Sequence, residues 1–170
     1  MWAVVVHAIE SGIVLSVVVF GMLLAVLRAN PEIMLNDYPP DIRVKWGPMS
    51  ERTKRQRVGV AVLLLITGVL VAAWSLKPLS TLAGGDVTFA IAFLHFAIMF
   101  ETFNFLDWIA LDWPLVYLQP AFVVLPGTEG LRGYRSYWFH FRGFLIGVPL
   151  VLAGSALLAA VVSISYRAAR

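Results

Sequence analysis

The chain has 170 residues, of which 60% are hydrophobic and 14% are charged, and its mean hydropathy is +0.83. Soluble domains average about 45–50% apolar and about 25% charged residues, so this composition indicates an integral membrane protein. The formal net charge of +3 comes from basic residues beside hydrophobic segments, which favours membrane lipids over nucleic acid as partners. Because the chain has no cysteine, disulfides, thiolate metal ligands and thiol nucleophiles are excluded.

Four hydrophobic segments are each long enough to cross a bilayer, which takes about 20 apolar residues in a helix. We predict an all-α integral membrane protein, a four-helix bundle formed by one transmembrane domain over residues 1–170. In the first helix, Ala8, Gly12 and Ser16 recur every four residues and form a face that another helix can approach closely. The predicted helices cover residues 2–27, 58–76, 87–112 and 143–165.

The connections between these helices differ in character. Residues 30–57 are polar and proline-rich, which predicts a surface loop with a short interfacial segment or, alternatively, a structured partner-binding or lid element over the bundle mouth. Residues 77–86 are a short turn, so the second and third helices are expected to be antiparallel neighbours. Three prolines interrupt residues 114–126, which we expect to lie in the interface, to re-enter the membrane partway or to cap the bundle.

The distribution of lysine and arginine predicts the orientation. Residues 28–57 contain seven of these side chains and residues 132–142 contain three, whereas Lys77, Arg167 and Arg170 lie at the opposite end. The positive-inside rule therefore places loops 28–57 and 118–142 in the cytoplasm and both termini outside, in a bacterial plasma membrane.

One group of polar residues is expected near the outer face. His7 and Glu10 are three residues apart on one side of the first helix, and His95 lies at a matching depth in the third. These residues predict either a binding or proton-handling site, or an interhelical hydrogen bond that fixes the register of the helices. A haem held between His7 and His95 is a further alternative, although Glu10 beside the iron would be unusual.

A second polar group is expected in the inner half of the third helix. Glu101, Asn104 and Asp112 fall within about 80° of one another around the helix axis, and Asp107 lies about 60° beyond Asn104. Glu101 is far from any neighbouring charge in sequence, so a desolvated carboxylate there is a general acid–base candidate. The alternative is a protonated Glu101 that hydrogen-bonds across the bundle.

His140 precedes the fourth helix and should lie at the depth of Asp107 and Asp112, close to two arginines. An aspartate–arginine pair that anchors the helix end is the alternative explanation for these aspartates. His7 and Glu10 have a workable spacing for metal ligands, but no matching ExxH occurs on the other helices, so no metal site is predicted. The predicted catalytic residues are Glu101, Asp107 and His140. The predicted substrate-binding residues are Asn104, Asp112, Arg135, Arg142, His7, Glu10 and His95.

Three functions are compatible with this pattern, and whether the protein is an enzyme stays open. The first is binding of a lipidic or isoprenoid small molecule, or acid–base chemistry on it. The second is a non-catalytic subunit of a larger membrane complex, or a homo-oligomer. The third is proton or ion translocation along the polar residues, which the apolar stretch 96–100 opposes.

Overall fold

The computed structural model describes residues 1–168, and within that range the chain is helical and forms no strand. Arg170, which contributes to the charge balance above, lies outside the described residues. Four helical stretches are long and apolar enough to cross a membrane, so the all-α class and the number of candidate spans are confirmed. These stretches are Trp2–Ala29, Glu51–Ser75, Phe89–Leu118 and Tyr137–Ala168.

The elements follow one another with short connections. Asp107–Asp112 forms a π-helical turn, which joins the helices Phe89–Leu106 and Trp113–Leu118 into one continuous helical stretch. Short 3-10 turns occupy Pro31–Asp37, Ala121–Val123 and Arg132–Arg135. The helices are α1 (Trp2–Ala29), α2 (Pro40–Trp46), α3 (Glu51–Ser75), α4 (Leu79–Leu82), α5 (Phe89–Leu106), α6 (Trp113–Leu118) and α7 (Tyr137–Ala168).

Two of the long helices begin earlier than the hydrophobic pattern predicts. The hydroxyl of Ser50 accepts a hydrogen bond from the Thr53 amide and caps α3, and Glu51 lies in the first turn, where the helix dipole favours a carboxylate. The helix therefore begins two turns before residue 58. α7 likewise begins at Tyr137 rather than at residue 143. Hydropathy does not detect either start, because the added turns are polar or aromatic.

The central helix of the fold is α5, which packs against both α1 and α7, whereas α3 packs mainly against α1. The packing order is therefore α3–α1–α5–α7. The expectation that the second and third helices are neighbours along their length is wrong. The connection between them contains α4, whose Leu79 is buried in one cluster with Val4 of α1, so the chain crosses the end of α1 before α5 begins.

The small-residue face of α1 has the predicted role. Ala8 and Ser16 are buried, at 0% and 2% exposure. A Cβ atom on Gly12 would lie 2.5 Å from the Met99 carbonyl oxygen and 2.6 Å from the Thr102 Cβ. α1 and α5 can approach this closely only because position 12 lacks a side chain.

The ends of the helices that adjoin residues 28–57 are referred to below as the basic end, and they are covered by a cap formed by residues 30–50 and 119–136. Its core is an apolar cluster that includes Ile42, Leu125 and Tyr134. Tyr38 donates a hydrogen bond to the Val123 carbonyl over 2.7 Å, which joins the two parts of the cap. The Arg28 guanidinium lies 4.3 Å from the centre of the Phe122 ring.

The cap agrees with one of the alternatives given above for each of two segments. Residues 30–50 form the structured lid rather than a plain surface loop, and residues 119–126 are part of the cap. Residues 114–118 belong instead to α6, and Pro114 lies in its first turn, directly after the π turn. α6 ends at Leu118, and the residue that follows it, Gln119, has a φ of 41° in the left-handed region.

Candidate functional site: a cavity at the basic end

His7 and His95, from the polar group predicted near the outer face, belong to a hydrogen-bonded junction of three helices. His7 Nε2 lies 2.9 Å from the Ser75 carbonyl oxygen, and His95 Nε2 lies 2.9 Å from the Ser75 hydroxyl. The two imidazole rings stack with centroids 5.4 Å apart. Ser75 therefore connects α1, the end of α3 and α5, in agreement with the predicted interhelical hydrogen bond.

The hydrogen bonds also assign the imidazole tautomers. A carbonyl oxygen only accepts, so His7 carries its proton on Nε2. The Ser75 hydroxyl gives its hydrogen to the Ala72 carbonyl over 2.7 Å and must therefore accept from Nε2 of His95. His95 Nδ1 is buried and has no hydrogen-bond partner among residues 1–168. A haem on these two histidines would thus need Nδ1 ligation or the loss of the bonds to Ser75.

Glu10 does not belong to this junction. Its side chain is exposed on the surface of α1, beside the exposed Ile9 and Ile13, whereas His95 is fully buried. The expected grouping of His7, Glu10 and His95 is therefore wrong for Glu10. Three residues of separation place Glu10 about 60° around the helix from His7, which is enough to turn it away from α5.

Most residues of the second predicted polar group line a cavity of about 550 Å³ between the cap, the π turn, α6 and the start of α7. Its apolar wall includes Leu23 and Leu27 of α1 and Leu111 of the π turn. The predicted site residues in its lining are Asn104, Asp107, Asp112, His140 and Arg142. Five of the seven residues predicted for the inner site therefore meet at one cavity, and the exceptions are Glu101 and Arg135.

The π turn explains how Asp107 and Asp112 reach the same cavity. In a regular α-helix, residues five apart point about 140° away from each other. A π turn closes hydrogen bonds between residues five apart, as the bond from the Trp113 amide to the Trp108 carbonyl does here, so such residues come to lie on one side. The angular separation assumed from a regular helix was therefore wrong between these two aspartates.

The two aspartates have different partners. Asp112 Oδ2 lies 3.0 Å from His140 Nδ1, so the expected match in depth between these residues is confirmed. Asp107 forms no ion pair with any lysine or arginine of the described chain. The alternative of an aspartate–arginine anchor is therefore wrong for both residues.

Glu101 lies behind the cavity wall. Its Oε2 accepts a hydrogen bond from Asn104 Nδ2 over 3.2 Å, and its Oε1 is buried without a partner in the described part of the chain. Asn104 also donates a hydrogen bond to the Phe144 carbonyl of α7 over 3.2 Å. Its side-chain amide lies against Gly147, where an added Cβ would overlap it. Glu101 therefore reaches the cavity only through Asn104, which fixes the direction of that amide.

The arginines divide in the same way. Arg142 lines the cavity with a largely exposed side chain, whereas Arg135 lies in the 3-10 turn of the cap and does not line it.

The cap contributes cavity residues that the sequence did not single out. Asp37, Tyr38 and Tyr134 line the cavity opposite the spanning helices. Burial, together with the nearby Tyr134 and Asp37, raises the pKa of Tyr38, which keeps its hydroxyl protonated as the donor to Val123. Asp37 accepts a hydrogen bond from Arg57 over 3.1 Å. The sequence feature that could have indicated these residues is Tyr38, which stands between an aspartate and two prolines in residues 37–40.

No known protein family, curated protein or solved structure matches the chain. The function is therefore inferred from the chemistry and shape of the cavity.

Proposed function

We propose that this protein binds an amphiphilic small molecule of lipidic or isoprenoid type in the cavity at the basic end and acts on it by acid–base chemistry. The observation that carries the proposal is the cavity itself, in which Asp107 and the Asp112–His140 pair share one space with an apolar wall. Small-molecule sites are commonly cavities of about 300–1,000 Å³ with a few convergent polar groups, and this cavity lies within that range.

The apolar part of the ligand would lie along Leu23, Leu27 and Leu111, which face the cavity from α1 and the π turn. Burial of a hydrocarbon chain contributes about 0.8 kcal/mol for each CH₂ group. The polar end of the ligand would then meet Asp107 and His140.

Asp107 is the proposed acid–base group, since no lysine or arginine in residues 1–168 neutralises it. His140 is the second. When its Nδ1 proton is directed to Asp112, its Nε2 is left to exchange a proton with a ligand. Glu101 is a positioning residue, because its contact with the cavity runs through Asn104.

We further propose that the chain is inserted in a bacterial plasma membrane with the cap in the cytoplasm and both termini outside. Four long apolar helices support insertion, as does the large exposed apolar surface of α3, which includes Val62, Leu65 and Leu70. Ten of the thirteen lysine and arginine residues lie in 28–57 and 132–142, which supports this orientation.

The test is the identification of a co-purifying molecule. Protein extracted from its membrane in a mild uncharged detergent is examined by native mass spectrometry, together with Leu115→Trp, which fills the cavity. Leu70→Trp on the exposed side of α3 is the matched control. We expect an amphiphile of defined mass on the wild type and on Leu70→Trp and its loss from Leu115→Trp. Equal retention by all three would contradict the proposal.

A second candidate function, a subunit of a larger membrane complex, is favoured by one observation. The side chain of Glu10 is exposed, and it lies about 12 Å along α1 from Trp2. In a membrane, an unpaired carboxylate at this depth would be costly. A donor on a neighbouring transmembrane helix would satisfy it. Glu10→Leu should then release a partner that remains bound to the wild type in detergent, whereas a wild type purified alone as a monomer would exclude this role.

Proton translocation, in contrast, gains no support. No hydrogen bond within residues 1–168 connects the His7–Ser75–His95 junction with the cavity, and Phe96 and Met99 are buried between them.

A further inference from the structure

The cavity combines carboxylates with aromatic rings, and this combination identifies the chemical class of the headgroup. We infer that the ligand is an amphiphile with a cationic amine or quaternary ammonium headgroup. This inference rests on the proposed function and names the ligand class of the same cavity.

The carboxylates are the first argument. Three aspartates line the cavity, namely Asp37, Asp107 and Asp112. Among the lysines and arginines of the described chain, Arg142 lines it with them. Arg57 binds Asp37 from outside the lining, whereas Asp112 has a histidine as its partner and Asp107 forms no ion pair within residues 1–168. An anionic headgroup would meet three carboxylates and one arginine, and a cationic headgroup finds two aspartates that no lysine or arginine neutralises.

The aromatic lining is the second argument. Tyr38 and Tyr134 meet edge to face with centroids 5.9 Å apart on the cap side. Trp108 stacks on Phe144 with centroids 5.1 Å apart on the helix side. Aromatic faces attract a cation through the ring quadrupole, and sets of such rings are the usual recognition device for ammonium groups. The rings and the aspartates therefore favour the same charge.

The apolar wall requires that the cation carries a hydrocarbon part. Leu23, Leu27 and Leu111 offer hydrophobic surface that a small hydrated amine would leave unused. A water-soluble amine without a tail should therefore bind weakly.

The experiment compares four eight-carbon probes with one tail and different heads: octylammonium, octyltrimethylammonium, octanol and octanoate. Dissociation constants are measured at pH 7 in an uncharged detergent by tryptophan fluorescence, since Trp108 lines the cavity. Asp107→Asn is the test variant. Glu51→Gln, a matched carboxylate-to-amide change at an exposed position on α3, is the control.

We expect both cationic probes to bind at least about tenfold more tightly than octanol and octanoate, since a hydrogen bond or contact with a charged group contributes more than a neutral one. Asp107→Asn should lose that preference and Glu51→Gln should keep it. The preference of the wild type is informative even when Asp107→Asn fails to fold.

Preferential binding of octanol or octanoate would overturn the inference and leave the proposed function intact, whereas failure of all four probes to bind would overturn both. Short-chain phosphatidylethanolamine, tested alongside, separates the two sources of an ammonium group. Binding as tight as that of octylammonium would identify a lipid headgroup, and weaker binding would identify a free amine.

Discussion

His140 Nδ1 lies 3.0 Å from Asp112 Oδ2, and this contact joins the first turn of α7 to the π turn that follows α5. The pair therefore joins two helical stretches that both line the cavity. Both side chains are partly buried, at 19% and 26% exposure, so solvent screens their interaction less than that of a surface pair.

Removal of either member of this pair should destabilise the protein by more than a surface ion pair does. We expect Asp112→Asn and His140→Gln to show a coupling free energy of about 1 kcal/mol in a double-mutant cycle. The measurement is thermal unfolding of the two single variants and the double variant in detergent. Strictly additive effects would mean that the contact does not stabilise the fold.

The cap should lose stability in acid through Glu32. Desolvation raises the pKa of Glu32, but hydrogen bonding with Thr53, Ser50 and Trp46 together outweighs it, so the folded pKa lies below the ordinary value of 4.5. A carboxyl with a depressed pKa stabilises the fold above its unfolded pKa, and this stabilisation is lost as the pH falls through the folded pKa. The melting temperature should therefore decrease below about pH 4.5 because of this group.

Glu32→Gln should reduce that pH dependence while Glu51→Gln, at an exposed site, leaves it unchanged. Thermal unfolding between pH 6 and pH 3.5 measures the difference. The same acid-induced decrease in Glu32→Gln as in the wild type would exclude Glu32 as its origin.

The close approach of α1 and α5 makes position 12 intolerant of a side chain. Gly12→Val should destabilise the fold by about 1–3 kcal/mol, since the new atoms would overlap the backbone at Met99 and the Thr102 side chain. Gly21→Val is the matched control on the same helix, where a Cβ meets no atom within 4 Å. Thermal unfolding measures the stability of both variants. An equal loss of stability in Gly12→Val and Gly21→Val would contradict the packing described for α1.

The His7–Ser75–His95 junction should act on stability rather than on ligand binding. Ser75→Ala leaves the buried Nε2–H of His95 without an acceptor, which costs about 1–3 kcal/mol. Ser165→Ala removes an exposed hydroxyl that bonds within its own helix and serves as the control. A Ser75→Ala protein of unchanged stability, or one that binds cavity ligands tenfold more weakly, would be at variance with this role.

Sequence patterns identified the four apolar helices and the small-residue face of α1, because both depend on local spacing. They also predicted that Asp112 and His140 lie at the same depth, and the two side chains are in contact. They missed the π turn, since the shift from α to π hydrogen bonding at Asp107–Asp112 leaves the hydrophobic pattern nearly unchanged. That turn decides which aspartates face the cavity.

Tertiary packing explains the other differences. Glu101 looked like the principal acid–base group because it is isolated in sequence, but the packing of α5 on α7 places Asn104 between it and the cavity. Glu10 and His7 share a helix face in sequence, yet the position of α5 buries one side of that face and leaves Glu10 exposed. The cap could not be assembled from sequence, because Tyr38 and Val123 are 85 residues apart.

Glu101→Gln and Asp107→Asn separate the positioning role from direct contact with the ligand. Gln at position 101 can still accept the hydrogen bond from Asn104, so ligand binding should change by less than about threefold, whereas Asp107→Asn should weaken it at least about tenfold. The binding of octylammonium to both variants checks this difference. A larger loss in Glu101→Gln than in Asp107→Asn would mean that Glu101, and not Asp107, contacts the ligand.

The most direct test of ligand binding in the cavity is a high-resolution experimental structure of the protein purified from its own membrane in mild detergent. We predict an elongated non-protein density whose polar end lies within hydrogen-bond distance of Asp107 and whose tail lies along Leu27. A cavity that contains only ordered water, with Asp107 bonded to the protein alone, would contradict the proposed function.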